Sequence, residues 1–258
     1  MRGDDLLTLL LYGLDIATRP TLGNMVQSGE SWQRYQGLHS SQLHKLRNKG
    51  LVERHGDKGH WALSLTEPGR LRVLGGRDPE ERWGRNWDGK WRMLMFDLEV
   101  GNESLRRRLL RWLHEAHFGC LQKSVWLLPD PCSGISETLE QAGAPAGAVL
   151  FFEGRPAMAG MSDPAIAAGA WDFEAINANY EAYRTFVSDG VPKKLNPLAA
   201  RQWTETEAHL WGRAAQFDPM LPDVLLPGNY LGKKAWGDRQ RLFRKASDLT
   251  VALDDTSG

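Results

Sequence analysis

The chain has 258 residues, 41% hydrophobic and 25% charged, with 32 Lys plus Arg against 32 Asp plus Glu and a formal net charge of zero. That composition argues against a disordered chain, and the length leaves room for one large domain or two to three small ones. It also excludes an overall basic coat, though not a basic patch on one domain. The two cysteines, Cys120 and Cys132, have neither the number nor the spacing of a zinc site or disulfide framework. They fit a reducing compartment. Acidic residues, Asp4 and Asp5, precede the apolar run from Leu6 to Leu11, so no signal peptide is expected. No stretch approaches the roughly 20 apolar residues of a membrane span. A cytoplasmic protein is expected, with no membrane contact and no cofactor.

The first segment extends to about residue 76. Leu6, Leu7, Leu10, Leu11 and Leu14 recur at helical spacing, with Asp4 or Asp5 as cap. A second helical pattern covers Trp32 to Lys49 and stops at Gly50. Leu51-Val52-Glu53-Arg54 and His60 to Leu65 flank a glycine-containing turn and predict a β-hairpin. Thr66, with Pro68 close behind, predicts a capped helix. Helices, a hairpin and a closing helix are the outline of a winged helix. Its second helix fits a major groove and its hairpin can reach the neighbouring backbone. With Leu43 and Leu46 facing inward, Ser40, Ser41, His44 and Asn48 are candidates for base edges. Arg47, Lys49, Arg54 and Lys58 are candidates for phosphate contact, and Arg34 and Lys45 add to the basic DNA-binding surface. The alternative is that these charges form an ordinary solvated face.

After a polar, glycine-bearing stretch from Gly75 to Asp88, read as a linker, residues 91–98 predict a buried strand and residues 103–117 a helix with Leu105, Leu109, Leu110 and Leu113 on one side. Residues 119–128 predict a second strand, 135–142 a short helix and 148–153 a third strand. This order suggests a ferredoxin-like α/β sandwich. The Ala- and Gly-rich run 157–170 reads as a loop or linker. Beyond Trp171, helical spacing returns in 173–186, 204–216 and 233–246. The expected fold is therefore α+β in three parts: a winged helix-turn-helix over 1–76, a ferredoxin-like domain over 87–156 assigned to dimerisation, and a mainly helical domain over 171–247.

Three groups of residues, taken together, carry a family resemblance. The first is Gly50-Leu51-Val52-Glu53-Arg54 followed by Leu65-Thr66-Glu67-Pro68-Gly69-Arg70. The second is Trp87-Asp88-Gly89-Lys90-Trp91-Arg92 with Phe118-Gly119 and Ser124-Val125-Trp126. The third is Asp218-Pro219, Leu221-Pro222 and Leu225-Leu226-Pro227, with Gly232 following. Together these residues resemble the PaaX family of transcriptional repressors. The resemblance implies a dimeric repressor, bound to an operator in duplex DNA and released by a small molecule such as an acyl-coenzyme A. Tyr230-Leu231-Gly232 stands where the family usually carries Trp-Pro-Gly, so the phenylacetyl effector of its name-giving members is not transferred. Arg106, Arg107 and Arg111 are candidates for the anionic part of an effector, and Trp126, Trp171 and Tyr180 for its apolar part.

The central segment also resembles the ferredoxin-fold nuclease of CRISPR adaptation. Asp97 ends the first central strand as that enzyme's metal-binding aspartate does. Two such carboxylates across a dimer could hold one Mg²⁺. The competing reading is that Asp97 caps a turn or pairs with an arginine. A non-enzymatic regulator is the expected class, with the nuclease as its alternative.

Overall fold

The computed structural model describes residues 44–55, 62–97, 103–132, 135, 147–155, 160–190 and 197–242. The helix expected near the N-terminus, most of that over 32–49, the hairpin turn, and most of the helix over 135–142 lie outside them. The chain divides into two compact units. One holds Met1–Asp78, Asn177–Gln216 and Leu231–Gly258; the other holds Pro79–Ile176 and Phe217–Tyr230.

In the first unit, residues 44–48 are helical and end at Gly50, whose φ of +65° is the left-handed geometry glycine tolerates. The Gly50 N–H donates to Arg47 O at 2.9 Å and the Leu51 N–H to Leu46 O at 3.0 Å, which closes the helix as a Schellman motif. Strands β1 (Val52–His55) and β2 (Ala62–Leu65) pair antiparallel, with Val52 opposite Leu65. Helix α1 (Glu67–Val73) follows. Its cap is Thr66, whose Oγ1 accepts the Gly69 N–H at 3.2 Å and donates to Gly50 O at 2.6 Å. One hydroxyl thereby joins the start of α1 to the end of the preceding helix.

The second unit opens with α2 (Pro79–Gly84), which corrects the linker expected over 75–88: Pro79 starts a helix whose Trp83 is buried. The unit is built on a four-stranded sheet. Its strands are β3 (Trp91–Phe96), β4 (Gly119–Gln122), β5 (Val125–Leu128) and β6 (Val149–Gly154), in the order β4-β5-β3-β6. All neighbours are antiparallel. The mixed helix and sheet content is that of an α+β protein. Residues 119–128, expected as one strand, are two. Exposed Lys123 and Ser124 turn the chain between apolar runs, and the β4–β5 register slips between Cys120 and Gln122.

Helix α3 (Glu103–Glu115) buries Leu105, Leu109 and Leu113. Leu109 and Leu113 join Leu94, Phe96, Phe118, Trp126 and Leu128 in one core. Alternate residues of β3 supply this face because side chains along a strand alternate. The other face approaches Trp171: a Cβ on Gly119 would lie 2.5 Å from the Trp171 ring, so only glycine fits there.

Helix α4 (Asp163–Ala170) corrects the expected linker. The alanines that suggested a flexible run are the strongest helix formers, and Ser162-Asp163-Pro164 supplies a start, with Ser162 accepting the Ala165 N–H. Helices α5 (Phe173–Ser188) and α6 (Pro197–Phe217) follow. A 3-10 turn spans Asp223–Leu225, and residues 232–242 form α7. No helix among the described residues is long and apolar enough to cross a membrane.

Candidate nucleic-acid interface

The helical turn 44–48 separates its residues by face. Leu46 is only 3% exposed, whereas His44, Lys45, Arg47, Asn48 and Lys49 are all exposed. His44 and Asn48 lie one turn apart and hydrogen-bond at 3.2 Å between Asn48 Nδ2 and His44 Nε2. The result is a polar face with three cations around a paired imidazole and amide. Such a face can donate to phosphate oxygens and to base edges. Arg54 lies on β1. Arg34, Ser40, Ser41 and Lys58 fall outside the described residues.

This region is held from behind by the C-terminal helices of its own unit. Trp211 on α6 donates its indole N–H to Leu74 O at 3.0 Å. Arg239 on α7 donates to Val73 O at 3.4 Å. Both acceptors sit at the C-terminal end of α1, where carbonyls lack helical partners and the helix dipole favours a cation. Arg239 is fully buried against Glu207, its Nε 2.8 Å from Oε1. Its guanidinium carbon lies 4.6 Å from the Trp211 ring centroid. Tyr183 completes the cluster by donating to Glu207 at 2.8 Å. Burial and then the neighbouring Glu207 carboxylate push the Tyr183 phenol well above its ordinary pKa, against a smaller opposing pull from Arg239. Tyr183 therefore stays a neutral donor. None of Glu207, Trp211 or Arg239 stood out in the sequence. They come from two different helices, and only the Glu207–Trp211 spacing of four is visible in sequence.

Residues of the second and third groups that carried the family resemblance perform structural work in the second unit. Asp88 accepts the Lys90 N–H at 3.0 Å and binds the buried Arg92 at 2.6 Å. Hydrogen bonds from Arg92, more than the charges around it, hold the Asp88 carboxyl at a pKa of about 2. A depressed carboxylate stabilises the fold above its unfolded value and loses that contribution as pH falls through the folded one. Carbon-detected NMR should accordingly show Asp88 still ionised at pH 3, and Arg92→Gln should return it toward the ordinary value of about 3.9. An unchanged midpoint in that variant would remove Arg92 as the cause.

Asp218, fully buried, accepts the Met220 N–H at 2.8 Å and a hydrogen bond from the Tyr230 hydroxyl. Tyr230 in turn accepts the indole N–H of Trp83 at 2.9 Å. A tryptophan at 230 could donate to Asp218 but offers no oxygen to Trp83. The neighbouring Leu231 donates its N–H to Asn177 at 2.9 Å, which a proline could not do. Both departures from Trp-Pro-Gly thus serve hydrogen bonds this chain makes.

The effector candidates are placed as follows. Arg106, Arg107 and Arg111 are exposed on α3. Trp126 faces the core of the second unit, and Trp171 donates to His117 O at 3.2 Å while lying beside Trp91. Tyr180 is fully buried against Trp211 in the first unit. The three aromatics all serve packing. Asp97 is exposed after β3, and its N–H donates to Ala148 O at 2.9 Å. Among the described residues no group of three or more His, Cys, Asp or Glu side chains is placed to hold a metal.

Two family models match this chain. Residues 84–167 match the PaaX protein central Cas2-like domain, and residues 171–253 match the PaaX-like protein C-terminal domain. The chain belongs to the PaaX family. It is 28% identical over 238 residues to the transcriptional repressor PaaX of Escherichia coli K12, covering 84% of this chain and 71% of that relative. Its fold is similar to the uncharacterized protein Rv0674 from Mycobacterium tuberculosis. That match has a TM-score of 0.50 and 22% identity, over 94% of this chain and 97% of the other. For this PaaX-family chain, the matched segments contain both the Asp88–Arg92 turn and the Asp218–Tyr230 contact.

Proposed function

We propose that this PaaX-family regulator is a repressor that binds an operator in duplex DNA as a homodimer, through a winged helix formed by its first segment. The reading rests on the polar face of residues 44–49, set directly before an antiparallel hairpin and backed by buried Leu46. Its central domain, with strand order β4-β5-β3-β6, is read as the ferredoxin-like sandwich, and its place of action as the cytoplasm. Ser40, Ser41, His44 and Asn48 address bases; Arg47, Lys49, Arg54 and Lys58 address phosphates, and Arg34 and Lys45 add to the basic surface. The reading includes release by a small anionic effector such as an acyl-coenzyme A, with Arg106, Arg107 and Arg111 as its anion contacts.

The test is binding of the full chain to its own promoter region against random duplex across a salt series. Lys49→Ala is expected to weaken binding to both and to lower the salt slope by about one contact. Equal affinity of the unaltered chain for both duplexes would end the regulator reading. The relative's named function, repression, favours this reading over a nuclease using Asp97. The same duplex with added Mg²⁺ should therefore stay intact.

A further inference from the structure

Helix α1 is hydrogen-bonded to other elements at both of its ends. At its start, Thr66 holds the end of the 44–48 helix. Its Oγ1 donates to Gly50 O at 2.6 Å and its N–H to Leu51 O at 3.1 Å. One turn on, Gly69 packs so closely on the Leu51 backbone that a Cβ would lie 2.0 Å from Leu51 O. At the far end, Leu74 O accepts the Trp211 indole N–H at 3.0 Å and Val73 O accepts from Arg239 at 3.4 Å. Just beyond, a Cβ on Gly75 would lie 2.9 Å from the Ala215 Cβ, and Arg77 donates to Ala215 O at 2.5 Å. Trp211, Ala215 and Arg239 are fully buried, and all these residues belong to the first unit. The seven residues of α1 span about 10 Å between the two attachments.

We propose that α1 is a strut that sets the DNA face for sequence discrimination. Trp211 on α6 and Thr66 at the cap are positioning residues, acting through α1 on His44 and Asn48. This deepens the reading of residues 44–49 as the DNA face and rests on it. The attachments are made to backbone carbonyls, which no rotamer change can move, and the helix between them is one hydrogen-bonded segment. A displacement of α6 is therefore carried to Gly50 and Leu51 instead of being absorbed on the way. The two classes of DNA contact respond differently to such a displacement. Base-edge hydrogen bonds weaken steeply outside a narrow range of distance and angle. Long, flexible lysine and arginine side chains follow a phosphate over a wider range. Loss of the strut should thus lower affinity for the promoter, while affinity for random duplex and its salt slope stay where they were.

The experiment titrates the full chain onto its promoter region and onto random duplex across a salt series, at a temperature where circular dichroism shows each variant fully folded. Thr66→Val keeps the side-chain shape and removes the hydroxyl; Trp211→Phe keeps a ring and removes the N–H donor. Each is expected to weaken promoter binding by roughly three- to tenfold, the scale of one lost hydrogen bond, with random-duplex binding unchanged. Thr66→Ser retains the hydroxyl and should restore promoter affinity. Trp203→Phe is the matched control, since Trp203 also lies on α6 but donates to Gly190 O at 3.2 Å, away from α1. The Thr66→Val/Trp211→Phe chain should lose little more than either single variant, because two ends of one strut do not add as independent sites do. Should Thr66→Val not fold, Trp211→Phe against Trp203→Phe decides alone. Unchanged promoter affinity in Trp211→Phe, equal losses on both duplexes, an equal loss in Trp203→Phe, or full additivity in the double chain each overturns the coupling and leaves the regulator reading intact. An unaltered chain that does not discriminate its promoter removes the regulator reading, and the coupling falls with it.

Discussion

Arg239→Ala is expected to lower the free energy of unfolding by about 3–5 kcal/mol, the cost of leaving a buried charge without its partner. Glu207 and Arg239 are both fully buried, so no water is at hand to replace the lost guanidinium. The same change removes the cation lying over Trp211 and the donor to Val73 O. For a chain of this size each kcal/mol moves Tm by roughly 2–4 °C, so the melting transition should fall on the order of 10 °C. The combined Glu207→Leu/Arg239→Met chain removes both charges while keeping apolar volume, and should recover much of that loss. A double-mutant cycle by calorimetry measures the coupling. Single-variant losses under about 1 kcal/mol, the range of a solvent-exposed pair, would mean that this pair does not hold the unit together.

Gly69→Ala should be the most damaging single methyl in the hairpin region. A Cβ there would sit 2.0 Å from Leu51 O and 2.9 Å from Leu51 C, both backbone atoms that no rotamer change can move. Relief requires α1 to shift off the hairpin, which breaks the Thr66 cap and the Thr66 N–H bond to Leu51 O at 3.1 Å. Overpacking of this kind costs about 1–3 kcal/mol or more, and rigid backbone places it at the upper end. Thermal melting and promoter affinity should both drop. Gly84→Ala is the matched control, since nothing lies within 4 Å of its Cβ position. Equal melting of the two variants would show that the α1–Leu51 contact is not fixed in solution.

The secondary elements that sequence predicted correctly are those whose signals are local. Gly50 ends a helix, Thr66-Glu67-Pro68 begins one, and the leucines of α3 mark its buried face, because capping and periodicity act within a few residues. Where two local signals compete, sequence reading chose wrongly. Alanine and glycine density suggested a linker at 163–170, whereas alanine propensity and the Ser162 cap form a helix there. A continuous apolar run at 119–128 concealed a two-residue turn.

The candidate DNA face was legible from sequence only in part. Leu46 facing inward fixes which residues of 44–49 face out, and that follows from helical period alone. What holds that region in place was not legible. Trp211 and Arg239, the latter paired with Glu207, meet the end of α1 from segments more than 130 residues away, and no periodicity or spacing encodes such a contact. The family motifs were recognisable as strings, yet their roles depended on the fold: Asp88 fixes Arg92, Asp218 anchors Tyr230, and Gly119 makes room for Trp171. Sequence by itself determined the caps at Gly50 and Thr66 and the apolar faces that α3 and β3 must bury, since these follow from backbone geometry and nearest neighbours. Only the tertiary structure decided which buried charges meet and which apolar residues, Leu150 and Phe152 among them, stay exposed, because burial is a property of the whole packed unit.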